Sequence, residues 1–326
     1  MKLGENDLSK YELKLVDSIV ADSNVFFLDK SFTEYQSENF DRRFLVIGVF
    51  LKESEELLSS IVLSNTREGF WENPITGAFG GLNNSKKSSI AATEFLITHL
   101  VEFMQTTLSE FVISMKIRVA PGCFSKDTAL LSNVLYRNKW ELESIDLNYH
   151  LNIESLDKYL SRLGATKKKQ IKRLERSGAT FHIESIDNLK QVYQVINLNR
   201  SSQGYPMTMP EGAVYDLANR FPERVKLFSV SNESEMIASA ICIQVNAEYL
   251  YVFYWGEHPN YRSASPVNLI ACGIYSYCAD NSIKVMDVGT STVDSVPNYG
   301  LCEFKTKLGC EVSQKHTFKW NNINHE

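Results

Sequence analysis

The apolar and polar positions of this chain are most tightly ordered between residues 249 and 309. Leu250-Tyr251-Val252-Phe253-Tyr254-Trp255 is an unbroken aromatic and β-branched run, the pattern of a strand buried on both faces. Ser265-Pro266 follows, with Ser265 expected to cap the free N–H groups of a helix and Pro266 to fit its first turn. Val267, Ile270, Ala271 and Ile274 then recur at spacings of three and four on one face, and the pattern ends near Asp280. Ile283-Lys284-Val285-Met286-Asp287-Val288 reads as the next strand. A strand, a crossover helix and another strand predict a right-handed parallel unit. Ligands in such units lie at the carboxyl ends of the strands. Those ends are Trp255-Gly256 and Asp287-Val288-Gly289, so the functional centre is expected there.

The rest of the chain carries similar signals. In the first half the pattern predicts a helix over 8–21, a strand at 44–51, a turn at 53–56 and a returning strand at 57–64. Asn73, Pro74, Gly77, Gly80 and Gly81 punctuate a loop whose backbone approaches something closely. A helix over 89–105, a strand over 111–119 and a helix over 127–137 follow. The alternation over 140–151 suggests a closing strand pair. In the second half, a basic helix within 155–177 precedes a strand at 180–184 and helices at 187–200 and 211–220. Strands at 225–230, 236–245 and 248–255 form an antiparallel meander through the turns Asn232-Glu233 and Asn246-Ala247. A last strand, at 312–320, is expected to complete the second sheet.

At 326 residues the chain suits two domains of about 150 residues each. The composition shifts just before the basic helix, which divides the chain into 1–152 and 153–326. With 44% hydrophobic and 22% charged residues the sequence has the balance of a packed globular protein. A net charge of −5 makes it a poor non-specific nucleic-acid binder, so any RNA contact requires a local basic patch. Acidic residues near Met1 and the lack of an apolar run of about 20 residues argue against a secretory leader and a membrane span, and point to the cytoplasm. Six cysteines without a Cys-x-x-Cys pair disfavour structural zinc and a disulfide framework. Cys242, among small apolar residues, reads as core.

Lys167, Lys168, Lys169, Lys172, Arg173 and Arg176 crowd one helix, and Lys169, Lys172, Arg173 and Arg176 share a face. That face is either a solvated helix side or an anion site for phosphates.

Three motifs in residues 155–320 resemble the GNAT acyltransferase superfamily, in its Fem-type peptidyltransferase branch. They are the basic helix closed by Gly178, the proline-started helix leading to Met286-Asp287-Val288-Gly289, and Gly300-Leu301-Cys302-Glu303-Phe304-Lys305-Thr306-Lys307-Leu308-Gly309. The last matches the branch's Gly-Leu-x-x-Phe-Lys-x-x-hydrophobic-Gly. The first half is similar to the degenerate partner domain of such proteins. The resemblance implies an α/β fold of the mixed-sheet, α+β kind. It has two tandem GNAT-like domains, each a mostly antiparallel sheet with a central parallel strand pair flanked by helices. It further implies an acyl- or aminoacyltransferase that modifies an amine on a sugar- or peptide-containing, cell-envelope type precursor. The resemblance implies no tightly held cofactor. The donor it implies is acyl-CoA or aminoacyl-tRNA, the latter bringing a tRNA contact. One departure stands out. Acetyl-CoA-binding members carry a glycine-rich loop before the helix, whereas this chain reads His258-Pro259-Asn260-Tyr261-Arg262-Ser263-Ala264-Ser265-Pro266. A conventional acyl-CoA N-acetyltransferase and a catalytically degenerate binding protein are the alternatives.

The Phe-Lys motif carries over Phe304 as a substrate contact and Lys305 as the cation at the acyl centre, against a plain surface lysine. Asp287 ends a buried strand as either a general base or the cap of its own loop. Tyr254 is a hydrogen-bond donor or a core tyrosine. His258 and Arg262 lie near the expected cleft and, with Lys169, Lys172, Arg173 and Arg176, complete the candidate substrate contacts.

Overall fold

Apolar runs become strands wherever a neighbouring strand can take their backbone hydrogen bonds. In the computed structural model, residues 8–16, 25–74 and 76–322 are described, and they fold as two units. The first holds the chain up to Leu147 and again from Ser313 on; the second is Asn148–Val312.

The first unit contains β1 (Tyr11–Leu15), α1 (Lys30–Phe40), β2 (Phe44–Leu51), β3 (Glu56–Arg67), β4 (Phe70–Asn73), β5 (Asn83–Asn84), α2 (Ile90–Glu102), β6 (Ser114–Arg118), α3 (Asp127–Arg137) and the start of β7 (Glu141–Asn152). Strands β1, β2, β3 and β4 pair antiparallel in that order, and β4 runs parallel to β6 from Phe70↔Ser114 to Asn73↔Ile117. Ile47, Leu63, Leu96, Leu100, Met115, Ile117 and Phe318 form its buried core. Asn73 is buried, donating from Nδ2 to Val62 O at 2.7 Å and accepting from Gly81 N at 2.6 Å. A Cβ on Gly80 would lie 2.2 Å from Asn73 Oδ1, so the glycine expected for close approach is needed against this side chain.

The second unit contains the end of β7, α4 (Leu156–Arg162), α5 (Ala165–Arg176), β8 (Ala179–Glu184), α6 (Leu189–Ser201), α7 (Glu211–Arg220), β9 (Val225–Asn232), β10 (Glu235–Asn246), β11 (Tyr249–Glu257), α8 (Val267–Asp280), β12 (Val285–Thr290), the short β13 (Thr292–Val293) and β14 (Val296–Pro297), α9 (Tyr299–Lys307) and the start of β15 (Glu311–Asn321). Its sheet runs β7-β12-β11-β10-β9-β8; β11 and β12 are parallel and every other neighbouring pair is antiparallel. The parallel unit expected between 249 and 288 therefore forms, with α8 as its crossover. Helix α8 buries Ile270 and Ile274 completely. Each such side chain contributes about 1.5–3 kcal/mol of burial free energy. Each unit is a mixed, mostly antiparallel sheet with one parallel pair and flanking helices, as the resemblance implied.

Four sequence expectations change. Residues 11–15 are a strand, because Tyr11, Leu13 and Leu15 alternate with Glu12 and Lys14 and β2 offers a free edge; 17–21 fall outside the described residues. The alternation expected as a strand pair over 140–151 is one long strand, Glu141–Asn152. The basic segment is two helices, α4 and α5, separated at Leu163-Gly164. The C-terminal strand, assigned above to the second sheet, has Thr317–Asn321 paired antiparallel with β6 of the first unit. Its alternation marks a half-buried strand but carries no information about its partner.

Candidate active-site cleft

Parallel strands β11 and β12 are in register only at their starts, where Tyr249, Leu250 and Tyr251 face Val285, Met286 and Asp287. Beyond that point β11 continues to Glu257 and β12 to Thr290 without pairing with each other. The diverging ends open a cleft of about 620 Å³ in the second unit. Tyr251, Phe253, Tyr254 and Trp255 give it an aromatic wall, Val288, Gly289 and Thr290 line it from β12, and Phe304 and Lys305 from α9. This is the carboxyl-end location expected of the parallel unit.

Lys305 is 2% exposed. Its Nζ donates to Gly289 O at 2.9 Å and Thr290 O at 3.0 Å, and lies 5.5 Å from the Tyr149 ring centroid. Gly289 has a φ of +74°, a conformation that L side chains rarely adopt. Burial lowers the Lys305 pKa to about 8, with the nearby charge of Asp287 acting in the opposite direction. A buried, tightly held ammonium therefore faces the cleft. It is not a surface lysine.

Asp287 is buried but does not line the cleft. Its Oδ1 accepts from Asn148 Nδ2 at 2.9 Å and Gly289 N at 2.8 Å, and its Oδ2 from Tyr249 OH at 2.5 Å. Three donors occupy the carboxylate, and one of them is the loop N–H two residues on. This geometry is that of a loop anchor, and it is Asp287 that fixes the Gly289 carbonyl holding Lys305. Tyr254 lines the cleft, but its hydroxyl is hydrogen-bonded to Thr208 Oγ1, and the Arg200 guanidinium lies 5.6 Å from its ring.

Phe304 lies on the cleft, packed edge-on to Trp255 at 6.1 Å between centroids. Arg262 also lines it and donates from one Nη to Ser202 Oγ at 2.8 Å and Asn199 Oδ1 at 3.3 Å. His258 is half-buried just outside, its Nδ1 accepting from Asn260 N at 3.3 Å. The basic face separates from this group. Lys169, Lys172, Arg173 and Arg176 are all exposed and none lines the cleft; Lys172 borders a second groove of about 470 Å³ between α4, α5 and α8. Of the candidate contacts, Lys305, Tyr254, Phe304 and Arg262 come together; Asp287 and His258 sit behind or beside them.

The helix contributes instead through Lys167, which the sequence reading named only as part of the basic run. Its Nζ donates to Asn268 Oδ1 at 2.6 Å and lies 4.3 Å from the Phe304 ring centroid. Burial lowers its pKa, with Glu257 raising it. Glu257 was also missed, although it sits at the end of the very strand that located the cleft. Its Oε2 accepts from Val267 N at 3.3 Å. The cap expected from Ser265 is thus made by Glu257. Ser265 has a φ of +54°, and its Oγ accepts from Gln170 Nε2 at 3.3 Å.

No protein-family model matches the chain, and no curated protein matches it. Solved structures do. The chain is similar to the crystal structure of FemX, with a TM-score of 0.69 and 12% identity, covering 91% of this chain and 92% of that one. It is similar to the C-terminal domain of a putative lysylphosphatidylglycerol synthetase from Agrobacterium fabrum, with a TM-score of 0.57, 10% identity and coverage of 92% and 90%. A tandem GNAT protein from the clavulanic acid biosynthesis pathway matches with a TM-score of 0.52, 9% identity and coverage of 95% and 98%. At such identities the likeness is one of fold. The architecture is that of the tandem GNAT and Fem-type proteins. Among the described residues, no helix is long and apolar enough to cross a membrane.

Proposed function

We propose that this protein is an acyl- or aminoacyltransferase acting on an amine of a sugar- or peptide-containing precursor of the cell-envelope type. The observation that carries the reading is the Lys305 ammonium, buried at the mouth of diverging parallel strands and held by the Gly289 and Thr290 carbonyls. In amide formation the neutral amine attacks the acyl carbon and the new C–N bond forms. The carbonyl oxygen becomes an oxyanion, and the C–O or C–S bond to the donor then breaks, with the electron pair leaving on oxygen or sulfur. The amine's proton leaves with the departing group or to water. A fixed ammonium beside the acyl carbon stabilises the oxyanion in a site partly screened from solvent. The aromatic wall aligns the reactants, which supplies much of the rate in a reaction of this type.

The donor is acyl-CoA or aminoacyl-tRNA. Arg262 and Phe304 are substrate contacts in the cleft, and the exposed cations of α5 serve a phosphate-bearing substrate from outside it. The proteins of similar fold support the class, since they include the C-terminal domain of a putative lysylphosphatidylglycerol synthetase and a tandem GNAT protein. The test is to incubate purified protein with each donor and a set of amine-bearing sugar–peptide precursors, and to follow loss of the activated acyl group. Acceptor-dependent consumption of a donor is expected. Binding of an acceptor without consumption of either donor would replace the transferase by a binding protein.

A further inference from the structure

The first turn of α8 borders the cleft, and the chain itself uses all its backbone donors. Pro266 has no N–H. Val267 N donates to Glu257 Oε2, Asn268 N to Ser265 O at 3.0 Å, Leu269 N to Pro266 O at 3.0 Å and Ile270 N to Pro266 O at 3.1 Å. A helix start is suited to an anion, because its orphan N–H groups and its dipole both favour negative charge. Here a side chain brings that charge. Glu257 is the one carboxylate among the residues that line the cleft, which it shares with Val267 and Arg262. Burial raises its pKa, while the Val267 N–H and the positive charges of Arg262 and Lys167 oppose the rise and favour the ionised form.

We propose that Glu257 is a specificity-determining residue: a tethered anion that fills the N-terminus of α8 and turns away any donor that would bind there through a diphosphate. The inference deepens the transferase reading by narrowing the donor class, and rests on that reading only in calling the excluded molecule a donor. Two features cooperate. The carboxylate takes the one side-chain-accessible N–H of the turn, and its charge repels a second anion at contact distance. Without it, the Val267 N–H and the cations of Lys167 and Arg262 would face the same space with no anion between them. Removing Glu257 should therefore create an anion site where the native protein has none.

The experiment is isothermal titration of inorganic pyrophosphate, and separately of CoA, into the full-length protein and its Glu257→Ala and Glu257→Gln variants. No acyl transfer is involved, so the result stands whether or not a transferase activity is found. Native protein should give no saturable heat with either probe beyond any that Lys172→Ala with Arg173→Ala abolishes at the exposed face of α5. Glu257→Ala should bind pyrophosphate at least about tenfold more tightly, a gain expected from charge-assisted hydrogen bonds to one cation and one N–H, and the gain should shrink with added salt. Glu257→Gln retains an oxygen for the Val267 N–H and should show a smaller gain; it decides the matter if the alanine variant fails to fold. Adding Arg262→Ala to Glu257→Ala should reverse the gain. Saturable binding of pyrophosphate or CoA by the native protein that survives Lys172→Ala with Arg173→Ala, or unchanged affinity in folded Glu257 variants, would overturn the proposal.

Discussion

Replacing Lys305 by Met separates a catalytic cation from a structural strut. Burial takes the ammonium pKa from 10.5 to about 8. At about 1.4 kcal/mol per pH unit, the folded protein carries this charge at a cost of about 3 kcal/mol near neutral pH. Methionine removes that cost but leaves the Gly289 and Thr290 carbonyls without their donor, a loss of about 1.5–3 kcal/mol for each bond to a charged group. The two effects largely offset, so at pH 7 the variant should stay within about 3 kcal/mol of the native protein. The pH dependence gives the sign. The folded-state pKa is depressed, so between pH 8 and 10.5 the unfolded chain holds the proton that the folded one has released. Native stability therefore rises through that window, by up to about 3 kcal/mol relative to Lys305→Met, which has no such group. Urea unfolding of both proteins from pH 7 to 10.5 measures this difference. The transfer rate should fall by about 10²–10³-fold, the range for removal of one oxyanion-stabilising group, and native activity should decline as pH passes 8 and the amine loses its charge. A loss of more than about 5 kcal/mol at pH 7 would make Lys305 a strut, parallel stability curves would refute the depressed pKa, and unchanged turnover would remove it from the chemistry.

Asp287→Asn places an amide N–H₂ among three donors, from Asn148, Gly289 and Tyr249. It should destabilise the fold by about 2–4 kcal/mol in urea unfolding; unchanged stability would dissolve its role as loop anchor. The double substitution Lys172→Ala and Arg173→Ala removes two exposed cations of α5 and should shift stability by less than about 0.5 kcal/mol. It should raise KM for the phosphate-bearing substrate and flatten its salt dependence, and identical KM and salt response would make this face merely solvated.

Local patterns were enough for much of the second unit. The unbroken run 250–255, the three-and-four spacing after Pro266 and the strand ending in Asp287 define a parallel unit, because burial on both faces and an amphipathic crossover leave few other arrangements. The ends of its strands then located the cleft. Helices α3 and α7 were legible for the same reason, their periodicity being complete within one segment. Tertiary structure decided whatever depends on a partner distant in the chain. Tyr11–Leu15 is a strand because β2 supplies its hydrogen bonds, and Thr317–Asn321 lies against β6, about 200 residues earlier. The basic run left open a solvated face or an anion site, and of its cations only Lys167 turns toward Phe304, since burial of Ile171 and Leu174 fixes the rotation of α5. Lys305 becomes a buried ammonium only when α9 brings it to the carbonyls of β12. Glu257 becomes a helix cap only when β11 ends beside Val267. A residue's type and spacing are written in the sequence, but its burial, its charge partners and hence its pKa arise from groups that only the folded chain brings within a few ångströms.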